Sequence, residues 1–239
     1  MQDYNRLAAE YGRHRRVHPG VLRALVTTAA LTPAARILDV GCGTGNYTIA
    51  LAETVGCAVE GIDPSTEMLA RLRERAPHIP THVARAERLD VPADTFDLVF
   101  SVDVIHHVAD RAAYYAEAYR ALRPGGRVCT VTDSEDIIRR RAPLSVYFPA
   151  SAEIELRRYP PIAALAHLMR EAGFGALRED VVELAYALTD ATPYRDRAFS
   201  SLHLIPEDAF QRGLAQMERD LRVGPIACVS RYLLLWGTK

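Results

Sequence analysis

The chain has little of several features that mark specialised classes of protein. It carries 4 cysteines and 1 tryptophan in 239 residues, and its formal net charge is only -1. No apolar run approaches the roughly 18 residues of a membrane-spanning helix. A glycine period is absent and apolar residues are not depleted, which excludes collagenous and intrinsically disordered chains. Internal repeats and low-complexity segments are absent too, so we expect one large globular domain, with room for an appended lid.

The sparse cysteines and the balanced charge also restrict the ligands. Cys42, Cys57, Cys129 and Cys228 stand far apart, with no C-x-x-C pair and no histidine at metal-ligand spacing, so we expect buried thiols and no metal site. The polar N-terminus has no apolar signal-peptide region. A net charge near zero gives no field that attracts nucleic acid or an anionic membrane. We therefore expect a cytoplasmic protein with a small-molecule partner, no nucleic-acid partner and no membrane partner; the sequence does not indicate its oligomeric state.

Apolar runs of strand length alternate with segments of helical period in the first half of the chain. The runs are nearly continuous in Val, Ile, Leu and Phe, which is typical of strands buried on both faces of a parallel sheet. The predicted strands are 36–40, 58–62, 79–83, 96–102 and 127–132, and the predicted helices are 47–54, 65–76 and 110–122. This order predicts an α/β fold with a Rossmann-like, doubly wound sheet.

The remaining segments are expected to extend this sheet and to cover one edge of it. We predict two helices before the first strand, 4–16 and 20–30, and an irregular stretch over 133–161. Further predicted elements are helices 162–172, 194–200 and 206–221 and strands 176–186 and 226–236. The predicted organisation is a single domain, 1–239, with N-terminal helices in 1–32, a ligand-binding core in 33–133, and helical lid insertions in 134–160 and 190–224.

A glycine-rich turn carries the main functional signal. The string Asp39-Val40-Gly41-Cys42-Gly43-Thr44-Gly45 lies between the first predicted strand and the next helix, which is where open α/β sheets bind ligands. Glycine lets the backbone turn sharply and approach a ligand closely. In the dinucleotide fingerprint G-x-G-x-x-G a third glycine would stand at Asn46. Asn46 and the acidic Asp39 before the turn therefore disfavour NAD.

At these residues the sequence resembles the class I S-adenosylmethionine-dependent methyltransferases, in particular the small-molecule branch similar to ubiquinone/menaquinone-biosynthesis methyltransferases. The resemblance covers roughly residues 4–131. It implies a seven-stranded, mostly parallel sheet with an antiparallel last strand, and S-adenosylmethionine as cofactor. Asp63 follows Gly41 by 22 residues, close to the roughly 20 expected for a ribose-binding carboxylate.

The resemblance also implies a set of cofactor-binding residues. The Asp39–Gly45 turn would hold the methionine half, Asp63 the ribose hydroxyls, and Met68 the adenine. Arg85 stands where the family has an acid that contacts the adenine amino group, so from this motif only Ala86, through its backbone, and Glu87 are carried over. The implied residues are Tyr11, Asp39, Gly41, Cys42, Gly43, Gly45, Asp63, Pro64, Met68, Ala86, Glu87, Ser101 and Val102.

Two histidines after the fourth predicted strand are the catalytic candidates. His106 and His107 stand where the methyl group should point, and an imidazole titrates near neutrality, so either could act as a general base or orient the substrate. The structural alternative is that the two histidines begin a helix and pack a polar ring against the sheet. Residues 139–141, three arginines, are either a solvated run or a site for an anionic substrate.

The sequence thus predicts an enzyme that transfers a methyl group from S-adenosylmethionine to an O, N, S or C nucleophile of a small molecule. Such a transfer mainly needs aligned reactants and excluded water, so no single catalytic motif is required. The alternatives are an NAD-dependent oxidoreductase and a protein that binds S-adenosylmethionine without turnover.

Overall fold

The computed structural model describes residues 16–239 of the chain. Its elements in chain order are α1 Pro19–Thr28, β1 Arg36–Val40, α2 Asn46–Val55, β2 Ala58–Asp63, α3 Thr66–Arg75, β3 Thr81–Val83, β4 Phe96–Val102, a 3-10 turn Ile105–His107, α4 Arg111–Ala121, β5 Leu122–Thr132, α5 Glu135–Arg140, α6 Leu144–Tyr147, α7 Pro149–Arg158, α8 Ile162–Glu171, β6 Gly175–Leu188, α9 Thr192–Arg195, a 3-10 turn Ser200–His203, α10 Glu207–Val223 and β7 Ile226–Thr238.

Seven strands form one sheet in the order β3-β2-β1-β4-β5-β7-β6. The first five are parallel to one another, and β7 runs antiparallel to β5. The predicted seven-stranded, mostly parallel sheet is therefore confirmed. Because β1, β2 and β4 are adjacent and parallel, the loops that follow them emerge at the same edge of the sheet.

Buried strands and capped helices explain why these segments fold as they do. Strand β1 buries four of its five residues and β4 is buried over most of its length, as continuous apolar runs predict. Helix α3 starts at Ser65, whose hydroxyl accepts the N–H of Met68 at 3.2 Å, and α4 starts at Asp110, whose carboxylate accepts the N–H of Ala113 at 2.9 Å.

Three local predictions were wrong. The stretch 133–161 is helical rather than irregular, because Ser134 caps α5 and Pro149 is the first residue of α7. The predicted helix 194–200 is replaced by the short α9 and a 3-10 turn, with Arg197 between them at φ +50°. Strand β5 begins at Leu122 instead of 127, with a break in its pairing to β4 between Phe96 and Leu98.

The described chain divides into two compact units. The first contains residues up to Thr132 together with Ile162–Asp180 and Leu233–Lys239, and the second contains Asp133–Pro161 and Val181–Tyr232. The second unit has a core of its own, in which the ring of Phe148 stacks on Tyr194 and Phe210. The single-domain organisation stays a prediction.

Candidate functional site

The glycine-rich turn after β1 adopts the left-handed backbone conformation at each of its three glycines. Gly41 has φ +74°, Gly43 +54° and Gly45 +81°. A Cβ at Gly41 would lie 2.4 Å from Val104, and one at Gly45 would lie 2.5 Å from Leu72. Among residues 16–239, nothing lies within 4 Å of a Cβ added at Gly43. The outer two glycines therefore allow close packing within the protein, whereas Gly43 faces open space.

Asp63, at the end of β2, holds the turn and the start of α3 together. Its carboxylate accepts the N–H of Gly43 at 2.9 Å and the N–H of Ser65 at 2.8 Å, one on each oxygen. Burial raises the pKa of Asp63, although the N–H groups of Ser65 and Gly43 oppose that shift. Each carboxylate oxygen has two acceptor sites, so both can accept one more hydrogen bond.

Asp39 lies behind the turn and is only 3% exposed. Its carboxylate accepts the hydroxyl hydrogen of Thr48, on α2, at 2.7 Å. Burial raises the pKa of Asp39 to about 7; the Thr48 hydrogen bond lowers it, and the nearby Asp63 carboxylate raises it further. Asp39 thus links β1 to the helix that follows the turn.

Arg75, in the last turn of α3, contacts the glycine-rich turn from outside. Its Nη1 donates to the carbonyl of Thr44 at 2.7 Å and to Oδ1 of Asn46 at 2.8 Å. The sequence analysis missed Arg75, and also Leu72 and Val104, which pack where Gly45 and Gly41 lack side chains. No local pattern could have found them, because they follow the turn by about 30 to 60 residues.

The first turn of α3 lies directly after Asp63. Pro64 is exposed, whereas the Met68 side chain is 2% exposed and packs in the core. Met68 also donates its N–H to the Ser65 cap. The chain between Asp63 and Met68 is therefore fixed by capping as well as by packing.

The loop after β3 is tied to the start of α4 through Glu87. Its carboxylate accepts the N–H of Ala109 at 3.0 Å and that of Asp110 at 3.5 Å, and Arg85 lies 3.4 Å away. Burial raises the pKa of Glu87, but the hydrogen bond from its own backbone N–H, together with those from Ala109, Asp110 and Arg85, outweighs burial and lowers the pKa overall. Ala86, between these side chains, is partly exposed.

The end of β4 contributes the last group of predicted residues. Ser101 is fully buried and accepts the hydroxyl hydrogen of Tyr114 at 3.2 Å, while Val102 is partly exposed. In the 3-10 turn that follows, the ring centroids of His106 and His107 are 3.9 Å apart. His106 is partly exposed and His107 is exposed.

Most predicted site residues therefore follow β1, β2, β3 or β4 in one compact unit. Tyr11 lies outside the described residues. Within residues 16–239 no cluster of three metal-ligating side chains occurs, and none of the helices has the length and apolarity to cross a membrane. The Arg141 side chain, in the second unit, contacts the carboxylates of Asp133 and Glu155.

Comparisons with known proteins identify the family to which the chain belongs. Residues 38–130 match the family model described as a methyltransferase domain. The chain is 34% identical over 164 residues to a demethylmenaquinone methyltransferase from Anoxybacillus flavithermus, a match that covers 58% of this chain and 69% of the relative.

The chain belongs to the S-adenosylmethionine-dependent methyltransferase family. Within this methyltransferase family it is also 33% identical over 150 residues to phosphoethanolamine N-methyltransferase 3 from Arabidopsis thaliana, covering 60% of this chain but only 29% of that relative. It thus spans less than a third of the length of this plant relative.

Solved structures show the same methyltransferase fold. A protein described as a methyltransferase from an antibiotic biosynthesis pathway of Anabaena variabilis superimposes with a TM-score of 0.70 and 23% identity, covering 92% of this chain and 96% of that chain. Phosphoethanolamine N-methyltransferase 2 from Haemonchus contortus, in complex with S-adenosylhomocysteine and phosphomonomethylethanolamine, gives a TM-score of 0.58 and 21% identity. This match covers 91% of this chain and 52% of that chain.

Proposed function

We propose that this chain transfers a methyl group from S-adenosylmethionine to an O, N, S or C nucleophile of a small molecule. The observation that carries the proposal is the open space at Gly43, beside the Asp63 carboxylate, at the edge of the sheet where this family binds its cofactor. Family membership supports the reaction type. The relatives named above act on demethylmenaquinone and phosphoethanolamine, which supports a small-molecule acceptor but leaves the acceptor atom open.

The residues present fit the proposed cofactor. Open space at a left-handed glycine admits a ligand against the backbone, and the free acceptor sites of Asp63 suit ribose hydroxyls. We assign the methionine half to Gly41–Gly45, the ribose to Asp63 with Pro64, and the adenine side to Met68, Ala86 and Glu87. The bound cofactor supplies a sulfonium that makes its methyl group electrophilic.

The chain's own contribution is alignment and the exclusion of water. Asp39 and Thr48 fix the turn against α2, and Ser101 with Val102 places the end of β4 beside it. His106 and His107 follow directly, so we propose that one of them accepts a proton from a hydroxyl or amine acceptor as it attacks. Tyr11 stays a candidate contact to the cofactor.

The alternatives find less support. Asn46 stands where the dinucleotide fingerprint has glycine, and its amide oxygen is held by Arg75, which disfavours the NAD-dependent oxidoreductase. A protein that binds the cofactor without turnover would show no transfer of labelled methyl from S-adenosylmethionine to any compound in a metabolite pool. We propose a cytoplasmic location because all four cysteines are free thiols, as a reducing compartment favours.

Substitution of Gly43 tests the proposal. Gly43→Ala adds a methyl group to the open space, and we expect the affinity for S-adenosylhomocysteine to fall at least about fivefold, since overpacking of this size costs about 1–3 kcal/mol. Gly56→Ala is the matched control: Gly56, at the end of α2, also has a positive φ, +71°, and none of the described residues lies within 4 Å of an added Cβ.

Titration calorimetry measures both variants, and thermal unfolding checks that they fold. Equal backbone strain should lower the unfolding temperature of both, whereas only Gly43→Ala should lose affinity. Unchanged affinity in folded Gly43→Ala would remove this turn from the cofactor site. Absence of binding by the wild type would overturn the proposed function itself.

A further inference from the structure

Helix α3 contacts the glycine-rich turn along its whole length. At its start, Asp63 bridges the N–H groups of Gly43 and Ser65. In the middle of the helix, Leu72 packs against the bare Cα of Gly45. At its end, Arg75 donates from one nitrogen to Thr44 and to Asn46. The same helix therefore holds both the proposed ribose carboxylate and the proposed methionine turn.

We propose that Arg75 is a positioning residue for the cofactor, holding the Thr44 carbonyl and the Asn46 amide so that Gly43 keeps its open, left-handed conformation. This inference rests on the proposed function of the site. Arg75 itself need not touch the cofactor, since its hydrogen bonds go to the two residues that flank Gly45.

The glycine-rich turn needs such a positioning residue for a physical reason. Three of the five residues in 41–45 have positive φ, and glycine loses more conformational freedom on ordering than any other residue. The turn must therefore be held by contacts outside itself if it is to stay ready for a ligand. A hydrogen bond from a charged donor is stronger than one between neutral groups. Nη1 of Arg75 carries two N–H groups, and each has one acceptor.

The helix offers its own matched control. Arg73, two residues earlier, is also exposed, but its Nε donates to the hydroxyl of Thr81 on β3 at 2.7 Å. Arg73→Gln therefore removes a charged hydrogen bond from the same helix without removing a contact to the turn. Arg75→Lys keeps the charge and can reach one acceptor, so we expect it to restore part of what Arg75→Gln loses.

Two measurements test the inference. Calorimetry with S-adenosylhomocysteine should give an affinity about tenfold lower for Arg75→Gln, an intermediate value for Arg75→Lys and the wild-type value for Arg73→Gln. Amide hydrogen exchange of the ligand-free protein should accelerate in residues 42–46 of Arg75→Gln and not in Arg73→Gln. Asn46→Ala, which removes one of the two acceptors, should shift both readouts in the same direction as Arg75→Gln.

The outcomes separate the inference from the proposed function. If the wild type binds the ligand and Arg75→Gln binds it equally well, with unchanged exchange in 42–46, the positioning role is wrong and the cofactor site stands. If the wild type does not bind, the proposed function fails, while the exchange data still decide whether Arg75 orders the turn. Should Arg75→Gln not fold, Asn46→Ala provides the same two readouts.

Discussion

At the scale of single residues, the same side chain often has a structural and a functional role. Asp63 accepts two backbone N–H groups and is also the proposed partner of the ribose hydroxyls. Gly43 donates to Asp63 and also faces the open space. Such shared roles mean that affinity and stability must be measured together before either role is assigned.

Asp63→Asn should separate the two roles of this residue. The amide oxygen can still accept one backbone N–H, so we expect only a modest drop in unfolding temperature. The variant would lose the charge-assisted hydrogen bonds between the carboxylate and the ribose hydroxyls, each worth about 1.5–3 kcal/mol before compensation. Calorimetry with S-adenosylhomocysteine should show at least about a tenfold loss. Wild-type affinity in a folded variant would leave Asp63 with the loop and cap contacts alone.

His106 and His107 are the residues for which chemistry is the question. General base assistance contributes about 10²- to 10⁴-fold, but a misaligned substrate can cost as much, so rate alone cannot assign the role. We expect the acidic limb of the pH profile of single-turnover rates to disappear in either His106→Gln or His107→Gln. Near-wild-type rates and an unchanged limb in both variants would reject a histidine base.

At the scale of secondary structure, the sequence predicted the parallel half of the sheet best. Strands β1 and β4 have the predicted bounds, and helices α3 and α4 begin one residue after their predicted starts, because Ser65 and Asp110 are their N-caps. These elements are specified locally, because strands buried on both faces form continuous apolar runs and caps need particular side chains. The same runs placed the glycine-rich turn and Asp63 at one edge of the sheet.

The elements that sequence reasoning missed are specified by distant contacts. Helices α5 and α6 have 6 and 4 residues, too few to show a clear period, and Pro143 and Pro149 interrupt the stretch that leads into α7. Helix α6 forms where Tyr147 donates its hydroxyl hydrogen to Asp220, 73 residues later. The contact of Arg75 with Thr44 spans 31 residues in the same way. Neither contact can be predicted from the pattern of neighbouring residues in the sequence.

At the scale of the whole molecule, charge is balanced overall but not in each buried region. The chain has 29 basic and 30 acidic residues. Most ion pairs within residues 16–239 have an exposed partner, and each such pair contributes little to stability. In the second unit Arg141 pairs with two buried carboxylates, Asp133 and Glu155. In the first unit the hydrogen-bond donors that residues 16–239 offer to Asp39 and Asp63 are all neutral. Buried carboxylates without a cation make the stability of the folded state depend on pH.

The free energy of unfolding should therefore carry a pH-dependent contribution from Asp39. Its pKa is about 7 in the folded chain against an ordinary value of 3.8, so between these values the folded chain holds a proton that the unfolded chain has released. This contribution is fully present below the ordinary pKa and is lost as pH rises through about 7. The Asp39→Asn variant carries an amide that does not titrate, so the stability of the wild type should fall relative to this variant over the same window.

Chemical denaturation of both proteins at several pH values measures the difference between their free energies of unfolding. Contributions from groups whose titration the substitution leaves unchanged cancel in this difference. We expect the stability of the wild type relative to Asp39→Asn to change by a few kcal/mol, as an order of magnitude. The Thr48→Val variant provides a further test. Because the Thr48 hydroxyl lowers the pKa of Asp39, its removal should extend the loss of stability to higher pH. If the stability of the wild type relative to Asp39→Asn is flat from pH 4 to 8, or falls as pH falls, then Asp39 is ionised throughout this range and the predicted pH dependence is wrong.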